Sequence, residues 1–257
     1  MILVDTHCHL YSEEFDDEID AIIDRAKKIG VTKFYLPAID STSLQAMLAL
    51  EARYPNTCFA MMGLHPCYVK ENYKIELQIV ADQLAKRPFV AVGEIGLDFY
   101  WDKTFAVQQY EAFELQMQWA LDKKLPIVIH TRNAMQETIN MVAPFAAKGL
   151  TGIFHCFSGS YESAKQITDF NFMLGIGGVI TYKNAGLSEA LKDIPNEFLV
   201  LETDAPYLTP VPFRGKRNES SYLQYIIEKL ADTKQISLEE MASITTANAE
   251  RVFLPRY

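Results

Sequence analysis

The chain is poor in most features that would take it away from ordinary aqueous chemistry. Four cysteines in 257 residues, Cys8, Cys58, Cys67 and Cys156, show no CxxC spacing. That argues against a disulfide framework and against a structural zinc finger. Apolar runs stay far short of the ~20 residues that a membrane-crossing helix needs. The amino terminus carries no basic flank or cleavage site of a secretory signal and leads at once into VDTHCHL, Val4 to Leu10. A soluble, cytoplasmic protein is expected on these grounds. Excess positive charge is missing as well. The formal net charge is −9, the opposite of the basic surface that coats nucleic acid. Any nucleic-acid chemistry must then rest on a local cationic patch, and bound metal would supply part of that charge. Low-complexity linkers and repeats of residue identity are also lacking.

What the chain does have is hydrophobic residues, 49% of the total, enough for a sizeable core. They fall into short apolar runs that alternate with longer stretches of helical periodicity. The runs predict strands at Ile2–His9, Lys33–Ala38, Cys58–Leu64, Val90–Ile95, Ile127–His130, Gly152–His155, Phe172–Gly177 and Leu199–Glu202. Helices are expected from near Phe15, from Ser41, over Thr104–Lys124, over Ser220–Asp232 and over Ser237–Phe253, with Ser41 and Ser160 as caps. Eight strand–helix units of this length fit a single domain over 1–257, an α/β fold of the (β/α)8 TIM-barrel type. Near-continuous apolar strands suit parallel strands covered by helices. A doubly wound open sheet is the runner-up. The Pro-, Gly- and basic-rich stretch Thr209–Asn218 reads as a long loop after strand eight.

The five histidines are distributed with a bias. His7 and His9 stand one residue apart at the end of the first strand, where alternate side chains share a face. His65 follows strand three in GLHP, His130 ends strand five in IVIHTR, and His155 ends strand six in GIFHCFSG. Acids take the remaining ends: Glu94 in VGEIGLD and Asp204 in LETDAP. Carboxylates beside buried strands are costly unless paired or bound to metal. The chemistry of such a barrel sits at the carboxyl ends of its strands. Four imidazoles and two carboxylates there exceed what one catalytic zinc takes from a protein. They suit two divalent metals about 3.5–4 Å apart, sharing a carboxylate and a hydroxide. Imidazole suits Zn2+, and a mixed site also accepts Mn2+ or Mg2+. Cys8, between His7 and His9, should face the other way and pack.

VDTHCHL, GLHP, VGEIGLD, HTR, HCFSG and ETDAPYLTP followed by RGK together resemble the TatD-like metal-dependent deoxyribonucleases of the metallo-dependent hydrolase (amidohydrolase) superfamily. The likeness runs from Val4 to the terminal TANAERVF. It implies a metal hydrolase in which His7, His9 and Asp204 bind one ion, His130 and His155 bind a second, and Glu94 bridges them. It implies a phosphate contact for His65. Two positions depart from the family pattern: Tyr11 after HxHL, and Asn218, Glu219, Ser220, Ser221 after RGK. Glu219 would add negative charge where a phosphate might otherwise lie.

The expected reaction is phosphodiester hydrolysis of DNA, single-stranded or at ends, of the 3'-5' exonuclease kind, with Asp204 and Glu94 as the catalytic pair. Asp204 would orient the nucleophile and take its proton. His65, Arg132, Arg214 and Lys216 would hold phosphate. Tyr207 and Phe213 read as loop packing before stacking on a base or sugar. Asp5 either orients an imidazole or closes its strand, Asp98 reads as a helix cap before a support for a ligand, and Glu202 either supports a ligand or pairs with a cation. The competing readings are a small-molecule amidohydrolase, lactonase or phosphoesterase on the same barrel, and a scaffold that merely retains metal. A monomer is the default.

Overall fold

Each expected strand forms; β5 runs two residues longer than expected and the others are trimmed or shifted at their ends. In the computed structural model, which describes residues 1–253, they are β1 (Leu3–Asp5), β2 (Val31–Leu36), β3 (Cys58–Ala60), β4 (Val92–Asp98), β5 (Ile127–Arg132), β6 (Gly152–Phe154), β7 (Met173–Ile176) and β8 (Leu199–Leu201). The last four residues of the expected 1–257 domain lie outside the described residues. All strand pairs are parallel and run in sequence order, β1-β2-β3 and then β4 to β8. Two links close the ring. Met62 bridges to Val92 between β3 and β4, and Thr6 N–H donates to Leu201 O at 3.0 Å between β1 and β8. A closed ring of sequential parallel strands is a (β/α)8 barrel, and it rules out the doubly wound open sheet.

The helices are α1 (Ile19–Lys28), α2 (Leu44–Arg53), α3 (Tyr73–Lys86), α4 (Ala106–Lys123), α5 (Met135–Ala146), α6 (Tyr161–Asp169), α7 (Leu187–Leu191), α8 (Leu223–Lys234) and α9 (Leu238–Phe253). Ser160 caps α6 by accepting from Ser163 N–H. Ser41 does not cap α2, which begins after Ser43. Its hydroxyl and N–H instead bond Glu76 at 3.0 Å each.

The pleat sorts the apolar residues into two populations. One large cluster lies between strands and helices and includes Leu3, Phe34, Leu36, Ile127, Ile129, Phe154 and Leu174. A second fills the barrel: Val4, Tyr35, Met61, Ala91, Val128, Ile153, Met173 and Val200, a residue from or beside each of the eight strands. The end of α9 closes the amino-terminal mouth with Ala249, Val252 and Phe253. Phe253 stacks on Tyr35 with centroids 3.8 Å apart. With that end sealed, polar chemistry is left to the opposite end. Side chains alternate along a strand, so the next inward layer is found two residues on. Val128 leads to His130, Ile153 to His155, Val200 to Glu202 and Met173 to Gly175. The apolar floor thus predicts where the polar layer stands.

Candidate metal centre

His7 and His9 follow β1 rather than ending it. The strand stops at Asp5, and the two histidines stand on an extended continuation held by backbone bonds. Cys8 N–H donates to Tyr35 O at 3.0 Å, His9 N–H to Ala205 O at 2.8 Å, and Asp204 N–H to His7 O at 2.9 Å. Cys8 is fully buried with its thiol toward Tyr35 O, so it packs as expected. Asp5 orients no imidazole. Its carboxylate accepts from Thr203 and Ser220 hydroxyls at 2.6 Å each, from Thr203 N–H at 3.0 Å and from His7 N–H at 3.4 Å. It ties the first strand to the last. Burial pushes its pKa up to about 6, against the pull of those donors.

Glu94 lies at the middle of the cluster and is 2% exposed. Its two oxygens face two groups of imidazoles. Oε2 is 3.2 Å from His7 Nε2 and 3.8 Å from His9 Nε2. Oε1 is 3.0 Å from His130 Nδ1, 3.5 Å from His65 Nε2 and 3.7 Å from His155 Nε2. Asp204 Oδ1 lies 3.5 Å from His9 Nε2 and 3.7 Å from both His7 and His155 Nε2. His7 and His155 stack at 3.5 Å. Burial works to raise the Glu94 pKa, but the surrounding histidines outweigh it and hold the carboxyl well below its ordinary range. Asp204 is held down in the same way, chiefly by His155 and His9 against its own burial. The expected ligands His7, His9, Glu94, His130, His155 and Asp204 are all brought together.

The far side of each ring decides what its near side offers. Tyr11 Oη donates to Pro37 O at 2.5 Å, so it must accept from His9 Nδ1 at 2.9 Å. That leaves the His9 Nε2 lone pair facing the carboxylates. His130 Nε2 is 2.8 Å from Asp98 Oδ2, so Nδ1 carries the lone pair toward Glu94. His155 Nδ1 lies 3.0 Å from Glu202 Oε1 but makes no hydrogen bond, and its Nε2 faces Glu94 and Asp204. His65 is reversed. Its Nδ1 accepts from Cys67 N–H at 3.1 Å, so a neutral ring presents Nε2–H, a donor, to the centre. Ring nitrogens of His9, His130 and His155 crowd against the carboxylates of Glu94 and Asp204, and this donor set suits divalent metal.

Three supporting residues thus emerge that motif spacing barely marked. Asp98 caps no helix, since α4 begins only at Ala106 and the residues after Asp98 form a turn. It accepts from Tyr100 and Trp101 N–H at 2.9 and 3.2 Å with one oxygen and meets His130 with the other. Glu202 is fully buried, and Gly175 opposite it has no room for a side chain, because a Cβ there would strike the Glu202 carboxylate. Tyr11 marks a departure from the family pattern and is the group that orients His9. The signal for all three is an offset of two or four residues from a ligand on the same strand end.

A cavity of about 750 Å³ opens above Glu94 and is lined by His65, Arg132, Trp101, Tyr68 and Tyr207 among others. Arg214 and Lys216 do not line it. The Arg214 guanidinium lies over the ring of Tyr182, which follows β7, at 4.2 Å, and Lys216 Nζ lies over Phe213 of its own loop at 5.7 Å. Phe213 stacks on Tyr222, just past the loop, with ring centroids 4.6 Å apart, so it packs rather than facing the cavity. Glu219 does not enter the phosphate region either. It is 7% exposed and paired with Arg25 of α1 at 2.9 and 2.6 Å. Among the described residues no helix is long and apolar enough to cross a membrane.

Comparison with known proteins agrees with this geometry. The sequence model for "TatD related DNase" matches residues 4–254. The Bacillus subtilis protein described as the uncharacterized metal-dependent hydrolase YabD is 40% identical over 253 residues, 98% of this chain and 99% of that one. An Erwinia tasmaniensis protein named 3'-5' ssDNA/RNA exonuclease TatD is 31% identical over 258 residues, 98% of this chain and 99% of its own. The crystal structure of YJJV, a TatD homolog from Escherichia coli K12, superposes with a TM-score of 0.92 at 28% identity and 98% coverage of each chain. Matched by the family model from residue 4 to residue 254, this chain belongs to the TatD-related DNase family of metal-dependent hydrolases.

Proposed function

We propose that the protein hydrolyses phosphodiester bonds in DNA as a 3'-5' exonuclease-like enzyme acting on single strands or ends, with two divalent ions (Mg2+, Mn2+ or Zn2+) as cofactors. The observation that carries the reading is the division of Glu94, with Oε2 toward His7 and His9 and Oε1 toward His130 and His155. His7, His9 and Asp204 would hold one ion, His130 and His155 the other, with Glu94 between. When bound, such ions acidify water toward neutrality and offset phosphate charge.

The chain's own groups do the rest. Asp204 is anionic, faces the cavity and is 9% exposed, so its carboxylate is placed to take the proton of the attacking water. His65 offers Nε2–H to a non-bridging phosphate oxygen, and Arg132 offers a fork of donors at the cavity wall. Water attacks phosphorus, the bond to the opposite ester oxygen breaks, and that oxygen takes up a proton. A net charge of −9 suits short contact with an end better than tracking along a duplex. Monomeric action by the one domain over 1–257 is part of the proposal.

The test is hydrolysis by metal-stripped protein to which Mg2+, Mn2+ or Zn2+ is returned. Single-stranded DNA, duplex DNA, RNA and p-nitrophenyl esters are offered. Shortening of single-stranded DNA from its 3' end is the expected result. Turnover of the esters alone would assign the barrel to small-molecule chemistry.

A further inference from the structure

Five aromatic side chains are exposed among the described residues: Tyr68, Tyr100, Trp101, Tyr161 and Tyr207. Water-facing aromatics are costly, and chance would scatter them. Tyr68, Trp101 and Tyr207 line the cavity above Glu94, and Tyr100 packs against Arg132, which also lines it. Only Tyr161, at the start of α6, lies elsewhere. Trp101 is the most open large apolar residue in the protein's described part, 68% exposed.

The arrangement on the β4–β5 side is ordered. The Arg132 guanidinium lies 3.9 Å from the Tyr100 ring centroid and 5.1 Å from that of Trp101. The two rings meet edge to face at 4.9 Å and 86°. Tyr100 thus has a face covered by Arg132, while Trp101 keeps a face open. The pair is also fixed relative to the reaction centre. Asp98 accepts from both their N–H groups and, with its other oxygen, meets His130. Phe99 N–H donates to Arg132 O at 2.9 Å, which locks the β5 end to the same turn. Across the cavity Tyr207 lies 6.0 Å from His9, ring centre to ring centre.

We propose that Trp101, with Tyr100 and Arg132 beneath and beside it, is the stacking platform for an unpaired nucleobase of the nucleotide whose phosphate sits at the metal centre. The inference rests on the nuclease reading and adds the substrate's required state. A π-face is available to Trp101 only from a base that has left its own stack. The neighbouring guanidinium supplies the cation for the adjoining phosphate in a protein that is acidic overall. Stacking of this kind tolerates any base, because each has a π-face. The platform therefore selects single-stranded ends without selecting sequence, and a base held in a duplex cannot reach it.

The chain has two tryptophans, and Trp119 lies on α4 in a groove with Tyr73 and Lys74, away from the cavity. In W119F the remaining fluorescence reports Trp101 alone. A short oligothymidylate added to metal-free W119F is expected to quench it, and an abasic oligonucleotide with the same number of phosphates is not. With Mn2+ restored, W101A should lower the ratio of kcat/KM for oligothymidylate to that for the abasic strand about tenfold, the usual scale for losing one base stack. W101F should recover most of that ratio. Equal quenching by both strands, or an unchanged ratio in W101A, overturns the platform. A wild-type protein that binds oligothymidylate with quenching and cleaves no nucleic acid would instead sink the nuclease reading and leave the base subsite standing.

Discussion

Asp98→Asn separates two jobs that one carboxylate performs. Oδ1 accepts from Tyr100 and Trp101 N–H at 2.9 and 3.2 Å, and Oδ2 lies 2.8 Å from His130 Nε2. In the wild type the pairing keeps the His130 proton on Nε2 and its lone pair on Nδ1, 3.0 Å from Glu94 Oε1. Burial of the ring opposes protonation, but Asp98 and Glu94 outweigh it and raise the His130 pKa, while His130 holds the Asp98 carboxyl well below its usual range against burial. An asparagine keeps Oδ1 for the turn and puts an NH2 where Oδ2 was. Donor then meets donor, unless the ring moves its proton to Nδ1 and turns N–H toward the metal. Removing such a rear partner lowers metal affinity about 10–100-fold, which is about 1.4–2.7 kcal/mol at 1.36 kcal/mol per tenfold. The upper end is expected here, since a charge is lost along with the tautomer. Competitive titration with a chromophoric chelator reads the affinity, and the melting curve of the metal-free protein checks the fold. Wild-type affinity in a folded Asp98→Asn protein would refute the argument about the ring's far side. Asp98→Ala is the companion, because it releases the turn as well as the ring.

Glu94→Ala should leave the barrel folded, cut bound metal measured by atomic emission, and lower activity by orders of magnitude; full activity would remove Glu94 from its bridging place. His65→Ala should keep metal content and raise KM for an oligonucleotide, since its Nδ1 is committed to Cys67 N–H; loss of metal would make it a ligand. Arg25→Met leaves Glu219, 7% exposed, without its partner. Breaking a buried pair costs about 3–5 kcal/mol, and the 41% exposure of the Arg25 side chain scales this to about 2 kcal/mol. Burial raises the Glu219 pKa, but its bonds to Arg25 and Ser221 outweigh this and lower it from 4.5. Its stabilising effect is therefore present above pH 4.5 and is lost as pH falls through the lower folded value. Urea unfolding at neutral and at acid pH should show the gap between wild type and Arg25→Met narrowing with acid, and a gap independent of pH would contradict the pairing.

The strand count, parallel order and edge bearing the chemistry were legible from sequence, because parallel barrel strands are buried on both sides and announce themselves as short apolar runs. The ligand types were legible too, since a lone imidazole or carboxylate at the end of such a run has few inexpensive roles. Strand ends were read too long at His7 and His9 because the extended chain continues past Asp5 without laddering. Ser41 carried a cap signal that the helix start at Leu44 left unused, and its side chain went to Glu76 instead. Arg214 and Lys216 resembled substrate contacts because loop composition says nothing about which way a loop folds. Here Tyr182, after β7, holds Arg214, and Phe213 of the loop itself holds Lys216.

The sequence by itself determined a ring of eight strands, an acidic protein, and a set of six side chains of metal-ligand type at one rim. It could do so because the alternation of the pleat and the burial of the strands are local properties. Tertiary structure decided which nitrogen His9, His65 and His130 present, since that depends on Tyr11, Cys67 N–H and Asp98 standing behind the rings. It also decided where Glu219 points and which aromatics remain open to solvent. Those are matters of contact between residues distant in the chain, which periodicity and spacing do not encode.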